Sequence, residues 1–121
     1  MPYDEYQVER ISNCLKEKRI TFYTHKMFGG MLFMVDGKMF CGMHFDKKKQ
    51  TDLLMARIGE DATPDALKKE GCYPMDFTGR PMRGYVFVTP DGYDTDDDLA
   101  YWIDLCHQFN PLAKASKKKK K

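Results

Sequence analysis

Apolar and polar residues recur along this chain with two different periods, and the changes of period mark its elements. Between about Asp4 and Lys18, Val8, Ile11 and Leu15 stand at helical spacing with charged residues between them, which predicts an amphipathic helix whose apolar stripe packs on a sheet. Two apolar stretches follow, Lys26 to Val35 and Lys38 to Phe45, joined by Asp36-Gly37, the dipeptide that best accommodates the positive φ angles of a tight type I′ turn. They predict a β-hairpin. Asp46-Lys47-Lys48-Lys49-Gln50 reads as a polar turn and Leu53 to Ile58 as a third strand. Thr63-Pro64-Asp65 supplies an N-cap hydroxyl, a proline whose missing N–H costs nothing in the first turn, and an acid at the positive end of the helix dipole, with Gly71 as the stop of a short helix. The β-branched and aromatic run Gly84-Tyr85-Val86-Phe87-Val88 is a strand ended by the turn Pro90-Asp91-Gly92, with Met75 to Phe77 as its partner. Thr95 with Asp98 three residues on resembles a capping box, and Leu99, Trp102, Ile103, Cys106 and Phe109 then repeat with helical period up to Pro111.

The order is therefore α-β-β-β-α-β-β-α, an α+β fold with a mostly antiparallel sheet of about five strands and three helices. Residues 1–112 form one domain. Ala113 to Lys121 carries no large apolar side chain and ends in like charges, which predicts a disordered tail.

A two-residue turn at Asp36-Gly37 fixes a pairing for the hairpin. Val35 faces Lys38, Phe33 faces Phe40, Met31 faces Gly42 and Gly29 faces His44 on one side; Met34 faces Met39, Leu32 faces Cys41, Gly30 faces Met43 and Phe28 faces Phe45 on the other. One side is wholly apolar and the other carries three large apolar residues, so neither reads as a solvated face. The expectation is that the first and last helices cover Leu32, Met34, Met39 and Met43, while Phe33, Phe40 and Met31 form a protein interface, most simply that of a symmetric homodimer.

Composition narrows the setting. The chain has 121 residues, enough for a core that needs no staple. Its four cysteines, Cys14, Cys41, Cys72 and Cys106, lie 27, 31 and 34 apart, so no CxxC pair exists and they read as reduced thiols. The start Met-Pro-Tyr-Asp-Glu-Tyr has neither the basic nor the apolar part of a signal peptide, and no apolar run is long enough to span a membrane, which points to the cytoplasm. The formal charge is +2, and removing the five lysines Lys117, Lys118, Lys119, Lys120 and Lys121 leaves −3 for residues 1–116. Weak, non-specific nucleic-acid affinity would thus reside in that tail rather than in the domain.

Chemistry-bearing constellations are few. Gly29-Gly30 lies within an apolar strand pattern and not between a strand and a helix, so it reads as a bulge, bend or close backbone approach rather than a phosphate cradle. Cys41 and His44 have half of a metal-site spacing, yet an odd separation in a strand sends them to opposite faces. His107 adjoins Cys106 on a helix, where neighbours diverge. Cysteine–histidine catalysis through Cys41 with His25 is geometrically open, although most strand cysteines are small buried hydrophobes. The acids Asp94, Asp96, Asp97 and Asp98 lack the glycine and final glutamate of a calcium loop and fit the first turn of a helix. Arg80, held between Gly79 and Pro81, and Arg57 can each fork to a carboxylate or phosphate of a partner or tie down carbonyls of their own domain. No complete acid–base or nucleophile set is present, so the chain reads as a non-enzyme without metal or cofactor.

Two segments go further: Met27-Phe28-Gly29-Gly30 running through Gly37-Lys38-Met39-Phe40-Cys41-Gly42, and Pro74-Met75-Asp76-Phe77-Thr78-Gly79-Arg80-Pro81-Met82-Arg83-Gly84. With the Arg57-Ile58-Gly59 strand end and the Trp102-bearing last helix, they resemble the N-terminal domain of the TfoX/Sxy family, over roughly Tyr6 to Phe109. The resemblance implies a non-catalytic regulatory domain that binds a protein partner, transcription machinery among the candidates, since the competence regulators of that family are thought to act through the cyclic-AMP receptor protein. It makes Met27, Phe28, Gly29, Gly30, Phe33, Lys38, Phe40, Arg57, Arg80 and Met82 the motif residues and candidate partner contacts. In those regulators a second, helical domain follows; here the sequence runs from Pro111 into the lysine tail, so the expectation is a stand-alone domain.

Overall fold

The structure, a computed structural model, describes residues 4–27, 30–47, 50–76 and 81–112. Helix α1 (Glu5–Glu17) begins at Asp4, whose carboxylate accepts the Tyr6 backbone N–H at 2.9 Å, and buries Ile11 and Leu15. Strands β1 (Tyr23–Met27), β2 (Gly30–Val35), β3 (Lys38–Asp46) and β4 (Thr51–Arg57) follow as an antiparallel meander. After the one-turn helix α2 (Thr63–Ala66), β5 (Cys72–Asp76) and β6 (Pro81–Val88) complete a six-stranded sheet of order β1-β2-β3-β4-β6-β5. Every neighbouring pair is antiparallel. Helix α3 (Pro90–Tyr93), α4 (Asp96–Phe109) and a 3₁₀ turn (Asn110–Leu112) end the described chain. The fold is α+β with an antiparallel sheet, as the sequence pattern predicts.

The element count departs from expectation where the sequence carries no period. Tyr23 to Lys26 are all exposed on the edge strand β1, so no buried alternation marks them, and the apolar stretch from Lys26 is split between β1 and β2. Gly30 pairs with Met27 and opens β2 instead of lying inside one strand. Pro90 to Tyr93 forms one helical turn where a β-turn was expected. In α2, Ala62 is the N-cap, and the Thr63 hydroxyl donates back to the Gly59 carbonyl at 2.7 Å rather than capping. The cap at Thr95 is as expected, accepting the Asp98 N–H at 3.0 Å.

The hairpin turn is as expected too, with φ of 56° at Asp36 and 75° at Gly37. Its register is not. Val35 pairs with Lys38 and Met34 with Met39, but a bulge then sets Phe33 against Cys41, Leu32 against Gly42, Met31 against Met43 and Gly30 against His44. The extra residue is Phe40. A bulge lets two successive side chains point the same way, and Phe40 and Cys41 both enter the core with Phe33 and Met43.

The helices cover the face opposite to the one expected. Phe33 is fully buried and Phe40 only 1 % exposed beneath the helices, together with Ile11, Leu15, Trp102 and Ile103. Leu32, Met34 and Met39 lie on the opposite face, in a separate cluster with Leu53, Met55 and Phe87. Phe33 and Phe40 are therefore core residues with half-buried Met31 packed against them, not the interface the sequence suggested. The bulge carries Cys41 and Met43 from the Leu32 side to the Phe33 side and leaves Gly42 and His44 on the Leu32 side, so the Phe33 side becomes the more apolar one, and it is the side the described helices cover.

The helices all serve one face. Helix α1 packs on β3, α4 on β3 and β4, α3 on β4 and β6, and α2 on β6. Tyr93 donates to the Asp52 carbonyl at 2.9 Å and Trp102 Nε1 to the Gly92 carbonyl at 2.9 Å, anchoring α3 and α4. Arg10 to Asp96, at 3.4 Å, and Lys18 to Asp104, at 2.7 Å, bridge α1 to α4. No helix among the described residues is long and apolar enough to cross a membrane.

Candidate functional site

Two features remain once the core is assigned: the sheet face that no described helix covers, and a cleft at the end of β4 and β6. They meet at Arg57 and Tyr85, which pair across the two strands.

Period-two alternation places one row on the open face. His25, Leu32, Gly42, Met55, Phe87 and Tyr73 follow one another across all six strands. Leu32 and Met55 close over Gly42, where an added Cβ would lie 2.9 Å from Leu32 Cδ2 and 2.9 Å from Met55 Cε. His44 stacks on Phe87 with centroids 6.1 Å apart, and Tyr73 tilts against the same ring at 5.7 Å. These neighbours bury Leu53 fully and leave Phe87 5 % exposed without a helix above them. Half-buried Met34, Met39, Tyr73 and Tyr85 form the rim.

At the end of β4 the chain leaves the sheet through Arg57-Ile58-Gly59. The Gly84 carbonyl accepts both the Ile58 N–H at 2.8 Å and the Gly59 N–H at 3.0 Å. Gly59 and Gly84 have φ of 87° and 81°, which glycine alone adopts readily. A Cβ at Gly59 would overlap Phe109 Cδ1 and stand 2.7 Å from Cε1, so the ring of α4 rests directly on this backbone. The Arg57 guanidinium lies 5.3 Å from the Tyr85 ring centroid and 5.8 Å from that of Phe109, a cation–π arrangement with both. Ile58, Ala62, Leu105 and Leu112 complete the apolar wall of a cleft of about 670 Å³, and Glu60, Asp61 and Gln108 its polar part.

The structure separates the residues proposed from sequence. Arg57 and Gly30 stand at the open face or its end. Lys38 instead donates to the Asn110 carbonyl at 3.0 Å, a cation at the C-terminus of α4, while Asn110 Nδ2 donates to the Val35 carbonyl at 3.3 Å. Together these bonds tie the hairpin turn to the last helix. Met27 ends β1 and Met82 belongs to β6. Phe28, Gly29, Arg80 and Lys117 to Lys121, with the expected tail, lie outside the described residues. Tyr85, Phe109, Glu60 and Asp61 were not singled out, although the positive-φ glycines beside them, Gly59 and Gly84, were within the motif segments.

The thiols fit the inert reading. Cys41 is buried on the helix side, whereas His25 pairs with Leu32 on the open face, so the two cannot act together. Burial pushes the Cys41 thiol well above its usual range and that of Cys106 up to about 12, the latter partly offset by the Arg57 backbone N–H. Cys41 and His44 point to opposite faces, as their spacing requires. The acids Asp96, Asp97 and Asp98 form the first turn of α4.

The family described as TfoX N-terminal domain matches residues 18–110 of the chain. No curated protein matches it at a significant level.

Proposed function

This chain belongs to the TfoX N-terminal domain family, and from that premise we propose that it is a non-catalytic, partner-binding regulatory domain of the cytoplasm. The observation that carries the reading is the asymmetry of the sheet: all described helices pack on one face, and the other presents an apolar cluster rimmed by Met34, Met39, Tyr73 and Tyr85. Methionine and tyrosine suit a protein interface, the first because it repacks against different shapes and the second because it offers a rigid apolar body with a polar tip. The occupant is a protein, either a component of the transcription machinery or a second copy of the chain.

The test is a photo-crosslinking residue at Met39, compared with one at the exposed Lys16 on α1. Crosslinks to one defined protein from Met39 and not from Lys16 support the reading. Crosslinking equally from both positions, or from Lys16 alone, overturns it.

The segregation of charge favours a second reading, nucleic-acid association through Lys117 to Lys121. Residues 1–116 carry −3, so affinity would fall steeply with salt and vanish on deleting the run.

A further inference from the structure

The two edges of the sheet are built differently. Strand β5 carries Pro74, which has no N–H to give, and its register slips between Pro74 and Asp76, two devices that blunt an edge. Strand β1 runs in even register with β2 from Tyr23 to Met27, and Tyr23, Thr24, His25 and Lys26 are all exposed. We propose that β1 is a homodimerisation edge: it pairs antiparallel with β1 of a second copy about a two-fold axis at His25, so that the two sheets join into one. This concerns the edge of the sheet rather than its open face, and it goes beyond the partner-binding reading without depending on it.

An edge strand dictates its occupant more narrowly than an apolar face does. Among the described strands β1 has β2 alone as a neighbour, and every second residue of such a strand turns its N–H and C=O outward. Only another extended backbone matches that row of donors and acceptors. Of the two edges this molecule offers, β5 is blunted, so β1 of one copy meets β1 of another. The contact is isologous and closes at two chains instead of growing into a fibre. Side-chain alternation then selects the register. Tyr23 and His25 stand on the side of Leu32 and Met34, Thr24 and Lys26 on the side of Phe33 and Met31. An axis at His25 sets all five residues of β1 opposite β1 of the copy, His25 against His25, Thr24 against Lys26 and Tyr23 against Met27. It also draws Tyr23, an aromatic residue 56 % exposed, into the joint. An axis at Lys26 puts like charges face to face, and one at Tyr23 carries half of the pairing beyond the strand. The lysine thus narrows the pairing without preventing it.

One strand pair buries less than the roughly 1,200 Å² at which standard interfaces begin, so the dimer should be weak, with a dissociation constant on the order of 10–100 µM. Sedimentation equilibrium of the full chain measures it. His25→Asp sets two carboxylates against each other on the axis at an exposed position, and should raise that constant at least roughly ten-fold while circular dichroism stays unchanged. A cysteine scan of the edge reads the register directly, with oxidised glutathione as the oxidant and non-reducing electrophoresis as the readout. Facing residues of an antiparallel pair bring their Cβ atoms within disulfide reach, so His25→Cys should give a crosslinked dimer, and Thr24→Cys and Lys26→Cys, displaced along the strand from their own copies, should not. A chain that stays monomeric at about 1 mM overturns the proposal, as does equal crosslinking from all three positions. A dimer that Met39→Asp dissociates and His25→Asp leaves intact belongs to the open face and overturns it as well.

Discussion

The two faces of this sheet draw on the same strands and a similar stock of apolar side chains, yet the described helices roof only one. On the helix side Phe33, Phe40, Met43, Leu54 and Val86 meet Ile11, Leu15, Trp102 and Ile103 from α1 and α4. On the other, Leu32, Leu53, Met55 and Phe87 are closed over by strand neighbours, with His44, Tyr73 and the methionines doing what helices do opposite. Burial alone thus does not distinguish a core from an interface. The distinction lies in what supplies the cover, since a helix docked by capped termini and hydrogen bonds to other elements is part of the fold, whereas a rim of flexible side chains can rearrange around a partner.

The sharpest break of this comparison is a pair of truncations on adjacent residues of β3. Phe40→Ala empties a site in the helix-side core and should cost about 3–5 kcal/mol, while Met39→Ala, half-buried on the open face, should cost less than about 1 kcal/mol. Urea denaturation followed by circular dichroism measures both, and similar costs would show that the open face is as much core as the other. Gly59→Ala tests the junction of the faces: its Cβ strikes the Phe109 ring at a left-handed backbone, for an expected loss of about 2–4 kcal/mol. The same measurement should show Thr95→Ala, which removes only the cap of α4, losing about 1 kcal/mol.

Alkaline pH probes both sides together. Burial raises the Cys106 thiol on the helix side and the Tyr73 hydroxyl on the open face each to about 12. The unfolded chain therefore releases these protons first, near 9 for the thiol and near 10 for the phenol. The stability they contribute is whole below those values and is lost as pH rises toward 12. Cys106→Ala should flatten the start of this decline and Tyr73→Phe its later part, read from midpoints at a series of pH values; a profile unchanged in either variant would remove that group from the account. The smallest effect belongs to deletion of Lys117 to Lys121, for which the melting temperature should hardly change, because a charged run without apolar residues adds nothing to either face.

What could be read in advance follows the reach of the signals. Helices α1 and α4 were legible in their 3.6-residue stripes, and the Asp36-Gly37 turn in its dipeptide, because those signals are local. β1 was not, since Tyr23 to Lys26 bury nothing and so leave no period. At the cleft, Arg57 was visible as the end of a strand, but its companions Tyr85 and Phe109 come from other elements, and no spacing along the chain relates them.

The sequence by itself determined the α+β class, the antiparallel hairpin, the cap at Thr95, and the kinship shown by residues 18–110. Only the tertiary structure decided which face of the sheet the helices cover. The alternation already set Phe33 and Phe40 apart from Leu32, Met34 and Met39, but the bulged residue Phe40 decided the rest: strand alternation has period two, so one insertion carried Cys41 and Met43 to the Phe33 side and left Gly42 and His44 on the other, and the helices cover the side so enriched.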